Sequence, residues 1–599
     1  MLRRQFVAVG VVGALAAVMV GGSASAQDDN GDGGGGVTLT IGLTQDLDSP
    51  NVTSGILVSA FELWNLQYAT LTDKAADDFS TIPGLAESWE VSDDGLTVTY
   101  TLRDGLTWSD GEPLTADDVA YTINRSRDEE WLNHSITTGN LDATAIDDLT
   151  LEVVSSVPDP KLPALDAYIV PQHVYEAIPA DDVTTYDGLD GVGAGPYVLD
   201  DWQAGESWTM VANPNYWGWD EGEPVIDRVV FRVFSNGDAM AAALEQGEID
   251  AAHNVPPSAF ERLDEDPDIV AVAGEQGGFS ELAMNSGAGG IGDGHPALTD
   301  REFRRALTVA IDREALLERV ALGLGSVGEA MVVSANPEWQ PEIPDDAALT
   351  HDPDRANQML DDAGYLDTDG DGVREMPDGG DPIELRYVQR SESVEEPQLT
   401  ELVTGWLDAV GIATTVEVYD DTQLTDVVAA GDFDLFSWGW TPYVDPDTQL
   451  AYLTCDQVTT DPDEAYGAND ANWCNEEYDE LYEQQKVELD PDRRRELVQE
   501  ALLVLYADAP YVVYYQSADL QAYRTDRFEG WLHQPAEVGP VLFSNSSPTY
   551  ANLSLVDGAD DAGGGSGAVV VGALAAAVVA VGAGGYLATR RRRTADDRE

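Results

Sequence analysis

The chain has 599 residues and a formal charge of −81, from 111 acidic against 30 basic side chains. Such a surface repels phosphates and anionic headgroups, which excludes nucleic-acid binding. With 43% hydrophobic and 8% aromatic residues, the chain is nevertheless a folded protein of two or three domains and not a disordered acidic tail.

Arg3 and Arg4 precede an apolar stretch from Phe6 to Val20, and Ala24-Ser25-Ala26 forms a cleavage pattern before Gln27. Residues 1–26 read as a signal peptide, because the apolar stretch is short for a bilayer span. Arg3-Arg4-Gln5-Phe6 also fits the twin-arginine pattern, so the general and twin-arginine export routes both stay open. The Asp/Gly-rich residues 27–36 form a flexible spacer. Val37–Leu43 and Leu96–Leu102 alternate apolar with polar residues as half-buried strands do, and Leu149–Val154 does so more briefly. Thr299-Asp-Arg-Glu302 has capping-box spacing ahead of Phe303, Ala306, Leu307, Ala310 and Ile311, an apolar stripe at helical spacing. Asp352-Pro353 and Asp490-Pro491 each set an N-cap Asp before a Pro at the first helical position. The second of these helices carries Leu497, Val498, Leu502 and Leu505, then passes through Ala509-Pro510 into a strand at Tyr511–Tyr515. Strands alternating with helices predict an α/β fold.

Three local features carry chemistry of their own. Residues 367–378 have the spacing of a calcium loop: Asp367, Asp369 and Asp371 at positions one, three and five, Val373 at seven, Glu375 at nine and Asp378 at twelve. A structural calcium and an unmetallated acidic turn both fit it, and Ile383, Leu385 and Tyr387 then alternate as a strand instead of a second helix. Cys455 and Cys474 are the only cysteines and lie in the exported part, so a disulfide is expected. After a linker at 557–567, Ala568–Ala588 is an uncharged apolar run that at ~1.5 Å per residue spans a ~30 Å hydrocarbon core. Arg590–Arg593 place residues 589–599 in the cytoplasm, so a C-terminal transmembrane helix is expected to anchor the protein on the extracellular face of the cell membrane.

Catalytic signatures are absent: no Gly-Lys for a phosphate loop, no G-x-S-x-G elbow, and six scattered histidines with no H-x-x-x-H pair. Other segments follow one another in a recognisable order. They are Pro83-Gly-Leu-Ala-Glu-Ser-Trp89, Leu102-Arg-Asp-Gly105, Trp108-Ser-Asp-Gly-Glu-Pro-Leu-Thr-Ala-Asp-Asp-Val119, Gly193-Ala-Gly-Pro-Tyr197, Asn213-Pro-Asn-Tyr-Trp217, Gly247-Glu-Ile-Asp250, Phe303–Arg313 and Gly431-Asp-Phe-Asp-Leu435. This ordered set resembles the extracellular solute-binding proteins for peptides and nickel, family 5 of the ABC-transporter binding proteins.

The resemblance implies a two-lobed α/β fold of the periplasmic-binding-protein kind, not an enzyme and without a cofactor of its own. The first lobe would cover 37–285 with an extra subdomain at about 67–210, the second lobe 286–514, and residues 515–556 would return to the first. A monomer would capture a peptide between the lobes and hand it to an ABC permease driven by separate ATPase subunits. A nickel or other small-solute binder is the alternative within the family; a surface-anchored sensor or adhesive module lies outside it. The implied cleft segment is Ser437-Trp-Gly-Trp-Thr-Pro-Tyr-Val-Asp-Pro-Asp447, with Trp438, Trp440, Tyr443, Asp445 and Asp447 as ligand contacts, joined by Thr53 and Ser54 from the first lobe. Dipeptide-binding relatives carry an ammonium-pairing Asp just before the Asp-Pro-Asp; here Pro442, Tyr443 and Val444 stand there. The Trp440–Tyr443 stretch partly resembles the nickel-binding pattern, with Asp447 in place of its His. Aromatic rings beside carboxylates suit a cationic or amphipathic ligand, and a core tryptophan pair is the plainer reading.

Overall fold

The computed structural model describes residues 36–556, apart from residues 56, 132–133, 220–223, 276–277, 333–335, 378–379, 392, 394, 441–443, 461–468 and 543–547. The signal-peptide segment, the 557–567 linker and the run at 568–588 lie outside the described residues.

The first lobe is built on a seven-stranded sheet. Its strands run in the order Ile269–Gly274, Asp519–Arg524, Ala251–Ala252, Thr38–Leu43, Arg228–Val233, Ser207–Ala212 and Tyr197–Gln203. Thr38–Leu43 pairs in parallel with both of its neighbours, and Leu39 and Ile41 are fully buried. The second lobe has a six-stranded sheet in the order Gly325–Val327, Tyr511–Ser517, Phe279–Met284, Leu435–Trp440, Glu384–Arg390 and Ala413–Tyr419. Separate apolar clusters cover its two faces, one around Leu282, Leu385 and Val512 and the other around Phe279, Phe436 and Val513. Such double coverage is the usual setting of strands that pair in parallel.

The extra subdomain is a four-stranded antiparallel sheet in the order Ala86–Val91, Thr97–Leu102, Thr150–Ser155 and Leu141–Asp147. Val98, Tyr100 and Leu102 point into one core with Val119 and Ile123 of helix Ala116–Asp128, which is the period-two burial that its alternating sequence predicts. Strands Tyr197–Gln203 and Ser207–Ala212, inside the range expected for the subdomain, pair in the sheet of the first lobe instead.

The chain crosses between lobes twice, between Gly274 and Phe279 and again at Ala518. Strand Phe279–Met284, counted with the first lobe from sequence, therefore belongs to the second sheet. The two crossings are tied together: Ser517 N–H donates to the Gly278 carbonyl at 2.8 Å, with Gly278 at φ 90°, where a side chain would be strained.

The helix ends follow local chemistry. Asp352 caps helix Pro353–Asp362 through Arg355 N, and Asp490 caps helix Pro491–Asp508 through Asp492 N and Arg493 N, as their Asp-Pro pairs predict. The capping box at Thr299 is displaced by one residue. Asp300 caps Glu302 N, while Thr299 Oγ1 donates back to the Pro296 carbonyl and closes a short 3₁₀ turn. The expected C-terminal transmembrane helix is corrected as well. Among the described residues, which form the two-lobed α/β fold, no helix is long and apolar enough to cross a membrane.

Candidate ligand-binding site

In an open α/β sheet, ligands gather beyond the carboxyl ends of parallel strands. In the second lobe, Glu384–Arg390 and Leu435–Trp440 are parallel, and their ladder holds only Tyr387 with Leu435 and Val388 with Phe436. Beyond that point the two strands separate. Among the described residues Ser437–Trp440 pair on their other side alone, with Phe279–Leu282. A cavity of about 230 Å³ opens at this place, lined by Phe279, Ser280, Arg390, Trp438, Gly439 and Trp440, with Glu395 and Tyr515 at its far side. Gly439 is exposed, Trp438 and Trp440 are half-buried, and the Arg390 guanidinium lies 4.3 Å from the centre of the Trp438 ring. Trp440 packs against Tyr452 at 5.5 Å. Among the described residues the arrangement presents an open strand edge, two aromatic walls and the Arg390 cation.

Behind this wall sits a buried acid. Glu281 is fully buried on strand Phe279–Met284, directly across the ladder from Trp438, and among the described residues neither carboxylate oxygen has a hydrogen-bond partner of ordinary geometry. Burial, and then the nearby Asp470, push its carboxyl well above the usual range, opposed only by the Trp440 indole. Burial likewise pushes Asp470 up to about 6, although the Tyr511 hydroxyl donates to it.

The structure places the other predicted contacts elsewhere. Asp445 accepts both arms of the Arg494 guanidinium at 2.7 Å each, and Arg494 lies 5.2 Å from the centre of the Trp339 ring. Burial alone would raise the Asp445 carboxyl; the Arg494 fork holds it below its ordinary value. Asp447 accepts from Gln485 Nε2 at 2.7 Å and from Lys161 Nζ. Lys161 belongs to the extra subdomain of the first lobe, so this ion pair joins the two lobes. A second contact does the same: Leu489 lies against Gly95, at the tip of the hairpin between strands Ala86–Val91 and Thr97–Leu102. Thr53 is fully buried and donates to Asn51 Oδ1 and the Val183 carbonyl, and Ser54 Oγ faces Ser49 Oγ; neither lines the cavity. Tyr443 lies outside the described residues. Arg390 and Lys161 were not singled out from the sequence. The available signals were Arg390's place at the carboxyl end of an alternating strand and the scarcity of lysine, of which Lys161 is one of three residues with Lys74 and Lys486.

Cys455 and Cys474 form the expected disulfide. In the calcium-like loop, one carboxylate oxygen each of Asp367, Asp369 and Glu375 can gather within 4.8 Å of one another. Backbone N–H groups of the loop already occupy them: Gly370 and Gly372 donate to Asp367, Asp371 to Asp369, and Thr368 to Glu375, while Asp371 caps Val373 N. Asp378 lies outside the described residues. The loop is an acidic turn stabilised by its own backbone, and calcium gains no support beyond this cluster.

The model of the bacterial extracellular solute-binding proteins, family 5 Middle, matches residues 80–461. The chain belongs to this family. The dipeptide-binding protein of Escherichia coli (strain K12) is 25% identical over 506 residues, which are 80% of this chain and 88% of the relative. Among solved structures, the oligopeptide-binding protein AppA from Bacillus subtilis in complex with a nonapeptide superposes with a TM-score of 0.67 at 22% identity, covering 87% of this chain and 99% of that one. NikZ from Campylobacter jejuni in complex with Ni(L-His) does so at 0.69 and 21%, covering 86% and 99%. Both structures share the two-lobed fold. Members of the family bind solutes and are not enzymes, and in this chain the candidate place for the solute is the cavity at Arg390, Trp438 and Trp440.

Proposed function

We propose that this protein captures peptides between its lobes, outside the cytoplasm, and delivers them to an ABC permease. The observation that carries the reading is the unpaired edge of Ser437–Trp440 facing the cavity, because an extended peptide adds to such an edge through main-chain hydrogen bonds. Main-chain pairing suits a carrier that must accept varied sequences. The Trp438 and Trp440 rings add contact area with little side-chain selectivity. Arg390 is the cation of the cavity and pairs with the peptide carboxylate. The peptide-binding relatives favour the same class of solute. A nickel chelate is not favoured, since the described residues lining the cavity include no His or Cys.

Titration calorimetry tests the reading with short peptides offered as free acids and as C-terminal amides. Free acids should bind, and Arg390→Gln should weaken them about tenfold, with amides nearly unaffected. If nickel–histidine gives heat and no peptide does, the peptide assignment fails.

A further inference from the structure

A second cavity, of about 300 Å³, lies at the crossing between the lobes. Its walls come from both: Val255 and Pro256 follow the carboxyl end of strand Ala251–Ala252 in the first lobe, while Val320, Ala321 and Leu324 come from the second. Ala518 and Leu520, at and just past the return crossing, form its floor. It shares Glu395, Tyr515 and Ser517 with the cavity at Trp438, so the two adjoin. Their surroundings differ. The first offers an open backbone edge and a guanidinium; the second sets the aliphatic side chains of Val255, Val320, Leu324 and Leu520 beside the polar groups of Asn254, Tyr515 and Ser517, with Glu395 exposed on the shared side. Turns that supply the walls are held in the left-handed region without glycine, at Asn254 (φ 49°) in the first lobe and at Leu322 (φ 55°) in the second. Leu322 sits between Ala321 and Leu324 with 55% of its surface exposed. Asn adopts this region readily, whereas at Leu322 the backbone is strained, and such strain persists where the surroundings over-determine it and concentrates at ligand clamps.

We infer that this second cavity is a side-chain subsite for one aliphatic residue of the bound peptide, and this rests on the peptide reading above. A peptide whose backbone lies along Ser437–Trp440 has the cavity next to its path. An aliphatic side chain entering it leaves water without losing a hydrogen bond, whereas a carboxylate would lose its hydration beside Glu395 and find no cation. Because both lobes build the walls, the subsite is complete only when they are together, so the preferred side chain also favours closure.

Calorimetry with tetra-alanine, its four single-Leu forms and its four single-Asp forms tests this. At one position Leu should bind about 10- to 100-fold tighter than Ala, and Asp at that position should bind weaker than Ala. Ala321→Phe, which fills the cavity from a half-buried position, should abolish the Leu gain while tetra-alanine binding changes by less than about threefold. Leu324→Ala, which enlarges it, should move the preference from Leu toward Phe. Peptides that bind with no positional preference, or a Leu gain that survives Ala321→Phe, overturn the subsite and leave the peptide reading standing. If none of the nine peptides binds the wild-type protein, both fall together.

Discussion

Lys161→Met removes the charged partner that the first lobe gives Asp447, and the geometry sets the size of the effect. Lys161 is 36% exposed and Asp447 10%, so the pair is neither a surface pair nor a fully buried one. Exposed pairs contribute ~0.2–1 kcal/mol, and stripping one partner from a buried pair costs ~3–5 kcal/mol. Gln485 continues to donate to Asp447 in the variant, which holds the loss near the lower bound, ~1–2 kcal/mol. Burial works against the Lys161 charge, and the Asp447 carboxylate more than offsets it, so the ammonium stays protonated and the pair intact at neutral pH. Since the partners belong to different lobes, the loss falls on the closed arrangement and not on the folding of either lobe. Peptide affinity should therefore drop about 5- to 30-fold, with the midpoint of thermal unfolding nearly unchanged. Small-angle scattering of the unliganded variant should show a larger radius of gyration. The wild-type advantage should shrink in ~1 M salt, where the screening length is ~3 Å. An unchanged affinity and an unchanged radius would show that the ion pair does not hold the lobes together. A fall in thermal midpoint without loss of affinity would place its role in folding.

Glu281→Gln should raise the thermal midpoint increasingly as pH rises above ~4.3, the unfolded carboxyl value, because the native state holds that proton far more tightly than the unfolded chain. Below that pH both states are protonated and wild type and variant should coincide; a difference that is constant across pH 4–8 would refute the buried-acid account. Replacing Cys455 and Cys474 by Ser removes a cross-link at a sequence separation of 19 and should cost ~3 kcal/mol in denaturant unfolding. A loss below ~1 kcal/mol would mean that the unfolded loop is already constrained without the bond.

Much of the fold was legible in the chain because its signals are local. Val37–Leu43 and Leu96–Leu102 declare themselves as strands by alternation, and Asp352-Pro353 and Asp490-Pro491 declare helix starts because a cap and a fixed φ act within one turn. The two cysteines left a single pairing, and the ordered landmarks pointed to the family. Near misses mark the limit of local reading: Thr299 and Asp300 are both competent caps, and packing of the preceding 3₁₀ turn chose Asp300. The site was less legible. Trp438 and Trp440 were singled out because their segment resembles the cleft strand of relatives, and both line the candidate cavity. That Asp445 would meet Arg494, 49 residues away, and Asp447 would meet Lys161, 286 residues away, was decided by how helices and lobes pack. With 111 acidic side chains in the sequence, nothing local distinguishes a carboxylate that awaits a ligand from one already paired. Glu281 makes the same point from the other side, since its place in a strand is local, whereas its burial without a partner exists only once the helices close over the second sheet. Local sequence determines backbone dihedrals and the faces of elements; tertiary packing decides which charges meet and which strand edge stays open, because those depend on distances between segments that the chain brings together only on folding.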